Sequence, residues 1–170
     1  VALNSEHGLK QIAILRDRFG EKCMIGAGTA ISVDLAKAAI GAGAQFLLTP
    51  GTPIDVLQYC AKKDIMLLPG VFTPGDVATS LEFGYKTMKL FPAGCAPKGY
   101  LKALKGPYDE ANYIAIGGVT IDNINDYFKE GYMGVGLASN LMPLSVLKDK
   151  NWDLGVSYVQ KYVSRVKRRV

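Results

Sequence analysis

One lysine stands out because it lies inside an apolar segment that is typical of a buried strand. In KTMKLFPAG (Lys86 to Gly94), strand side chains would alternate between two faces, and neither face is plainly polar. Lysine is rarely buried without a partner, so Lys89 calls for an explanation. Desolvation lowers the pKa of a lysine, and the neutral amine can then form a Schiff base with a carbonyl compound. The alternative is a lysine whose ammonium reaches water beyond the strand end.

A pair of glycines, Gly117 and Gly118, gives the second chemical signal. Backbone N–H groups at adjacent glycines can approach an anion closely, and Ser139 adds a hydroxyl after the next apolar run. The same pattern is also typical of a plain tight turn. A Schiff-base lysine together with a phosphate site suggests an aldolase that acts on a phosphorylated keto sugar or keto sugar acid.

The elements that would position these residues follow a repeated pattern, in which a short apolar run ends in Gly, Pro, Thr or Ser and a helical pattern follows. Successive runs end 20 to 26 residues apart, which leaves room for one helix and two short loops. The six runs are CMIGAGT, AQFLLTP, IMLLPG, TMKLFP, YIAIGG and MGVGLAS, which end at Thr29, Pro50, Gly70, Pro92, Gly118 and Ser139. Near-continuous apolar runs are typical of parallel strands that are covered on both faces.

Helix starts support this pattern. Ser32 is predicted as an N-cap, Thr52 and Thr73 each precede a proline at the first helical position, and a helix is predicted from Thr120 to Gly131. The pattern predicts one α/β domain over residues 1–170, as either an open doubly wound sheet or a (β/α)8 barrel. If the fold is a barrel, VALN is the end of another strand, and strand 1, helix 1 and most of strand 2 are absent from this chain.

Composition excludes several other classes. Lys89 is the sole ionisable residue at the predicted strand ends, where parallel α/β proteins collect functional groups, so no metal site is expected. The net charge of +5 resides in the last ten residues, which hold five basic residues and no acid, and we interpret them as a solvated helix end rather than a nucleic-acid site. No run is long enough to span a membrane. Three widely spaced cysteines favour a reducing cytoplasm.

Several blocks together resemble one family over nearly the whole chain, to about residue 145. They are IGAGTA, LLTPG, LPGVFTPGDVATSLEFGYKTMKLFPA, LKALKGP and AIGGVTIDNINDYFKEGYMGVGLASNL. They resemble the class I 2-keto-3-deoxy-6-phosphogluconate (KDPG) and 4-hydroxy-2-oxoglutarate (KHG) aldolases. That resemblance implies a (β/α)8 barrel, a homotrimer, and metal-independent cleavage of a 2-keto-3-deoxy-6-phospho sugar acid to pyruvate and glyceraldehyde 3-phosphate, with no cofactor.

The resemblance also assigns residues on the pyruvate side of the site. The family's Schiff-base lysine matches Lys89, and its pyruvate-side threonine matches Thr29. Pro50 and Phe91 match positions that line the pyruvate pocket. A catalytic glutamate and a substrate-binding arginine of the family would stand before Val1, outside this chain.

On the phosphate side, the resemblance matches Gly117, Gly118 and Ser139 to the family's phosphate-binding residues. Asn4 stands where the gluconate branch carries an arginine, and the pattern is more similar to the 2-dehydro-3-deoxy-6-phosphogalactonate (KDPGal) branch. Ala138 replaces a glycine of that branch but keeps the backbone N–H. Two hypotheses follow: an aldolase with its imine at Lys89, or a non-catalytic or truncated barrel that binds a phosphorylated sugar acid.

Overall fold

The structure, a computed structural model, describes residues 1–167, and these divide into two compact units. The N-terminal unit is Val1–Lys89, and the C-terminal unit begins at Leu90. The elements of the N-terminal unit, in chain order, are α1 (Gly8–Phe19), β1 (Gly26–Ala27), α2 (Val33–Gly41), β2 (Phe46–Leu48), α3 (Ile54–Lys62), β3 (Leu67–Leu68), β4 (Gly70–Val71), α4 (Pro74–Glu82) and β5 (Thr87–Leu90). The last residue of β5 begins the second unit.

Strands β1, β2 and β3 form a parallel sheet in that order. Gly26 pairs with Phe46, and the absent side chain of Gly26 leaves room for the Phe46 ring, which a Cβ would meet at 2.3 Å. Ahead of β1, Ala2 forms a parallel bridge with Gly28. The predicted strand end in VALN therefore runs parallel to the chain at the end of β1.

The predicted run IMLLPG forms two strands because Pro69 interrupts it. Proline has no N–H to donate to a strand neighbour, so pairing stops at β3 and resumes at β4. The Pro69 carbonyl still accepts a 2.8 Å hydrogen bond from the backbone N–H of Lys89. This bond places Lys89 beside the break between β3 and β4.

Of the three helix starts predicted in the N-terminal unit, two are confirmed and one is wrong. The Ser32 hydroxyl accepts from the N–H of Leu35 at the start of α2, and Thr73 forms a capping box with Asp76 at the start of α4. At α3, however, Pro53 is the N-cap and the helix begins at Ile54. Thr52 lies outside that helix because the backbone of Pro53 is extended rather than helical. The Thr52 hydroxyl instead donates to a carboxylate oxygen of Asp76, at 3.4 Å.

The core of the N-terminal unit lies between the helices and the parallel sheet. Its largest fully buried members, Ile12, Leu47 and Leu57, come from α1, β2 and α3. Alanines Ala36 and Ala39 on α2 are also fully buried and let that helix pack closely. Small side chains on the buried face of α2 and branched side chains on the strands thus fill the space between the helices and the sheet.

The C-terminal unit repeats the strand–helix order. After a short 3-10 helix (Ala93–Cys95), its elements are α5 (Tyr100–Lys105), β6 (Asn112–Ile116), α6 (Ile124–Glu130), β7 (Gly134–Gly136), α7 (Leu144–Lys148) and α8 (Trp152–Lys167). Strands β6 and β7 pair in parallel. Parallel strands in both units confirm the predicted α/β class. The basic residues Arg168 and Arg169 lie outside the described residues.

The predicted start of α6 at Thr120 is also wrong. The helix begins at Ile124 after the N-cap Asn123, because Thr120 and Asn123 form a turn of their own. The Asn123 side-chain oxygen accepts from the N–H of Thr120, and the Thr120 hydroxyl accepts from the N–H of Asn123. The predicted stop is confirmed, since Gly131 ends α6 in the left-handed conformation. Within residues 1–167, no helix is long and apolar enough to cross a membrane.

Candidate active site

Lys89 is buried in β5, with 9% of its surface exposed. Its strand neighbours Met88 and Leu90 are fully buried. Burial lowers the pKa of the Lys89 ammonium from its usual value, because the charged form loses its hydration. Lys89 therefore loses its proton more readily than a surface lysine does, and the neutral amine is the nucleophilic form.

Thr29 follows β1 with a positive φ of 65°. A branched side chain rarely adopts this left-handed conformation, because its Cβ crowds the backbone. The conformation is held by neighbouring bonds: Ile31 donates to the Thr29 carbonyl, and Ala30 donates to the carbonyl of Leu48 in β2. Strained residues of this kind cluster at functional sites, which supports a role for the Thr29 side chain.

Pro50 lies in a turn that a buried hydroxyl holds in place. The Thr49 hydroxyl is fully buried, donates to the carbonyl of Gly51 at 2.6 Å, and accepts from the N–H of Gly70 at 3.1 Å. Gly70 packs directly on the backbone of this turn, since a Cβ there would lie 2.4 Å from the Pro50 carbonyl carbon. The turn at Pro50 is thereby fixed against the break at Pro69.

The structure brings three of the predicted residues to one edge of the N-terminal unit. Thr29, Pro50 and Lys89 lie at or just beyond the carboxyl ends of β1, β2 and β5, which hydrogen bonds connect in succession. Asn4 follows the segment paired with Gly28 and is exposed. It stands at the same end of its strand but takes no part in the hydrogen bonds that connect the other three.

In the C-terminal unit, Phe91 and Gly117 are in contact. A Cβ on Gly117 would lie 3.1 Å from two ring carbons of Phe91, so the ring packs on the glycine backbone. Gly117 and Gly118 both have positive φ, 88° and 83°, which allows two successive N–H groups to turn together. The backbone N–H of Gly94 donates to the Gly117 carbonyl at 2.8 Å. The Gly117–Gly118 turn is therefore a close-packed structure that a side chain would disrupt.

Ala138 and Ser139 lie beside this turn because of strand register. Ile116 pairs with Gly136, so the residues after β6 and those after β7 leave the sheet at the same edge. The Asn140 side chain donates to the Val119 carbonyl at 3.2 Å and ties the two segments together. Ser139 is exposed and lines a cavity of about 400 Å³. The predicted phosphate-side residues thus come together within one unit.

Three supporting residues were missed by sequence reasoning. Asn123 donates to the Gly118 carbonyl at 2.9 Å, and the Thr120–Asn123 spacing is a turn signal that could have identified it. Asn140 directly follows Ser139 and is a polar residue at a strand end. Tyr162 donates its hydroxyl to the Asn140 carbonyl at 2.7 Å from α8, and no local sequence signal indicates that contact.

The site residues of the N-terminal unit and those of the C-terminal unit suit different chemistry. The edge of the N-terminal unit offers one buried amine and a strained threonine, which suits covalent capture of a small carbonyl compound. The Gly117–Gly118 turn offers neutral N–H donors and a hydroxyl, which suits an anion such as phosphate. Among residues 1–167, no cluster of three or more His, Cys, Asp or Glu residues is arranged to hold a metal ion.

Comparison with known proteins gives a consistent picture. The family model described as KDPG and KHG aldolase matches residues 1–157. The 2-dehydro-3-deoxy-6-phosphogalactonate aldolase of Escherichia coli is 30% identical over 164 residues, which cover 95% of this chain and 80% of that protein. The 2-dehydro-3-deoxy-phosphogluconate aldolase of Pseudomonas aeruginosa is 32% identical over 154 residues, covering 89% of this chain and 69% of that protein.

Solved structures give the same result. A crystal structure of KDPG aldolase from Legionella pneumophila, with pyruvate captured as a covalent carbinolamine intermediate, has a TM-score of 0.86 and 30% identity, covering 94% of this chain and 77% of that one. A native KDPGal structure has a TM-score of 0.83 and 29% identity, covering 98% of this chain and 81% of that one.

Proposed function

The chain belongs to the KDPG and KHG aldolase family, and we propose that it is a class I aldolase with its Schiff base at Lys89. The substrate is a 2-keto-3-deoxy-6-phospho sugar acid of the galactonate or gluconate series. The products are pyruvate and glyceraldehyde 3-phosphate. The observation that carries the proposal is the burial of Lys89 at a strand end, which lowers its pKa and favours the nucleophilic amine.

The reaction begins when the neutral Lys89 amine attacks the keto carbon of the substrate and forms a carbinolamine. Loss of water gives a protonated imine, which draws electrons from the adjacent carbon–carbon bond. Removal of the proton from the hydroxyl on carbon 4 breaks the bond between carbons 3 and 4 and releases the aldehyde. The resulting enamine takes a proton at carbon 3, and water releases pyruvate from Lys89. The family resemblance assigns these proton transfers to the glutamate that would stand just before Val1.

Thr29 and Pro50 support the pyruvate end of the substrate in this proposal, with Asn4 and Phe91 as further lining residues. The strained conformation of Thr29 supports its assignment, because the surrounding backbone holds the side chain at the strand edge. At the other end, the N–H groups of Gly117 and Gly118 bind the phosphate. The N–H of Ala138 and the hydroxyl of Ser139 add further donors in the proposed site.

Trapping with borohydride tests the lysine. Incubation with pyruvate and sodium borohydride reduces the imine to a stable secondary amine, and we expect a pyruvate-sized mass on the peptide that contains Lys89. Lys89→Arg keeps a positive charge but offers no nucleophilic amine, so it should abolish the adduct and lower activity by orders of magnitude. An adduct on a different lysine would refute the assignment. A folded chain that forms no adduct would favour a non-catalytic sugar-acid-binding protein.

A second experiment tests the phosphate turn separately. Ser139→Asp places a negative charge beside the proposed phosphate and should raise KM for the phosphorylated substrate. Proton exchange on pyruvate involves no phosphate and should change little. Equal effects on both reactions would remove the phosphate assignment while leaving the lysine assignment intact.

The proposal extends to the family's (β/α)8 barrel and homotrimeric assembly. The parallel strands of both units and the TM-scores of the aldolase structures support the fold, while the family resemblance alone supports the trimer. Sedimentation equilibrium would test the assembly, and a molar mass of one protomer across a wide concentration range would contradict it.

A further inference from the structure

We propose that Lys161 of helix α8 is a further phosphate-binding residue, whose ammonium group neutralises the phosphate held at the Gly117–Gly118 turn. This inference rests on the proposed function, since it assigns an additional residue to the same phosphate site. It concerns the C-terminal unit alone. Four features of that unit carry it: a shared cavity, the placement of the ammonium group, the anchoring of α8, and a deficit of charge at the turn.

The first feature is the cavity of about 400 Å³ that Ser139 lines. Its walls include Thr120, which follows Gly118 by two residues, and Tyr158, Lys161 and Tyr162 from α8. The volume lies within the range of small-ligand sites. The side chain of Lys161 therefore borders the same space as the hydroxyl that the proposed function assigns to phosphate.

The second feature is the placement of the Lys161 ammonium. Its Nζ lies 5.0 Å from the centroid of the Tyr158 ring, in cation–π contact. This contact restricts the side chain at the cavity wall without neutralising its charge. Among the described residues that line the cavity, Lys161 is the only one with a charged side chain. An anion that enters this space would meet a positive charge and no negative one.

The third feature is the anchoring of α8 to the turn. Tyr162, next to Lys161 in the chain, is buried and donates its hydroxyl to the Asn140 carbonyl at 2.7 Å. Asn140 in turn donates its side-chain amide to the Val119 carbonyl at 3.2 Å. These two hydrogen bonds hold the helix against the residues that follow Gly118 and Ser139. The backbone of α8 beside Lys161 is consequently held near Val119, the residue that follows Gly118.

The fourth feature is electrostatic. The phosphate donors of the proposed site are backbone N–H groups and one hydroxyl, all of which are neutral, whereas a phosphate monoester carries a charge of about −1.5 to −2 at pH 7. Hydrogen bonds to an ionised partner are stronger when the donor is also charged. Lys161 supplies that charge at the cavity that Ser139 lines.

Binding of inorganic phosphate to the full chain tests the inference. We expect Lys161→Gln to weaken phosphate binding about tenfold, which corresponds to one charge-assisted contact. Lys161→Arg keeps the charge and should restore most of the affinity. The affinity of wild type should fall more steeply with added salt than that of Lys161→Gln, because one charge pair is lost in the variant.

Arg165→Gln is the matched control. Arg165 lies one turn further along α8 and lines a neighbouring cavity with Ile121 and Lys161 but without Ser139. Its removal changes the net charge by the same amount and should alter phosphate affinity by less than about twofold, if the effect of Lys161 is local. Circular dichroism melting of each variant checks that the helix remains folded.

Three results would overturn the inference: unchanged phosphate affinity in Lys161→Gln, equal weakening in Arg165→Gln, or no phosphate binding by the folded wild type. Failure of the proposed function gives a different pattern. A missing pyruvate adduct at Lys89 refutes the aldolase mechanism whatever Lys161 does. A normal adduct and a raised KM in Ser139→Asp, together with an unaffected Lys161→Gln, refute the role of Lys161 alone.

Discussion

Gly94 and Gly118 meet backbone to backbone. A Cβ on Gly118 would lie 2.8 Å from the Cα of Gly94, and a Cβ on Gly94 would lie 3.0 Å from the Cα of Gly118. Neither position can accept a side chain without movement of the main chain. The contact sets the position of the turn whose N–H groups we assign to phosphate. Gly94 belongs to the short 3-10 helix, so that helix packs against the turn.

Gly118→Ala tests this contact. The substitution adds both left-handed strain and a backbone clash, so we expect a loss of more than about 2 kcal/mol in the free energy of unfolding, and a raised KM for phosphorylated substrate. Urea unfolding measures the first and steady-state kinetics the second. Gly84→Ala is the matched control, because Gly84 has nearly the same φ, 84°, but a Cβ added there would meet no atom within 4 Å. If the two variants lose equal stability, the contact is unimportant.

Thr29→Gly separates strain from function. Glycine adopts the positive φ of Thr29 without a Cβ clash, so relief of about 1 kcal/mol should offset the greater flexibility of the unfolded chain. We expect unchanged stability within about 1 kcal/mol and an about tenfold higher KM for pyruvate exchange, since the proposed hydrogen bond from Thr29 to pyruvate would be lost. Thr87→Gly, in strand β5, should destabilise the protein. A stable Thr29→Gly variant with normal kinetics would exclude Thr29 from the site.

Lys89→Met should abolish activity and raise stability. The folded pKa of Lys89 lies below its usual value of 10.5, so in that interval the unfolded chain binds more protons and wild-type stability rises with pH. The gain in unfolding free energy of Lys89→Met over wild type should therefore be largest below the lowered pKa and shrink as pH approaches 10.5. Chemical denaturation across this pH range measures it. Lys62→Met, at an exposed position, is the control, and a pH-independent gain for Lys89→Met would contradict the assigned burial cost.

Thr49→Val removes the hydroxyl that holds the Pro50 turn while nearly preserving shape. The N–H of Gly70 would lose its partner in a buried place, which should lower the free energy of unfolding by about 1–3 kcal/mol. Thr49→Ser keeps both hydrogen bonds and loses one methyl group, so it should lose only about 1 kcal/mol. Urea unfolding of the pair provides the comparison. A serine variant as unstable as the valine variant would show that packing, rather than hydrogen bonding, holds the turn.

Periodic apolar runs were sufficient to predict the parallel α/β class and the positions of the strands. They could not show that IMLLPG forms two strands, because that break depends on Pro69 having no N–H to donate. Helix starts were predicted where a hydroxyl caps its own helix, as at Ser32 and Thr73. They were wrong at Thr52, where the hydroxyl instead bonds to Asp76, a residue distant in sequence.

In the candidate site, too, some features follow from the sequence and others only from the folded structure. Lys89 and the Gly117–Gly118 pair were predicted as site residues because residue type and strand-end position together indicate chemistry. The family assigned Thr29, but its left-handed backbone follows from contacts with neighbouring segments and cannot be read from the sequence. Tyr162 reaches Asn140 across 22 residues, and only the folded chain brings the pair together.

The chain of bonds from Tyr162 through Asn140 to Val119 has a consequence for how this part of the protein opens. Detachment of α8 removes the bond to the Asn140 carbonyl and frees the segment that ties the two strand ends together. The helix and the glycine turn therefore belong to one cooperative unit, and their amide hydrogens should exchange with solvent at a common opening free energy. Shortening the helix from its C-terminal side would loosen a turn that lies far earlier in the sequence.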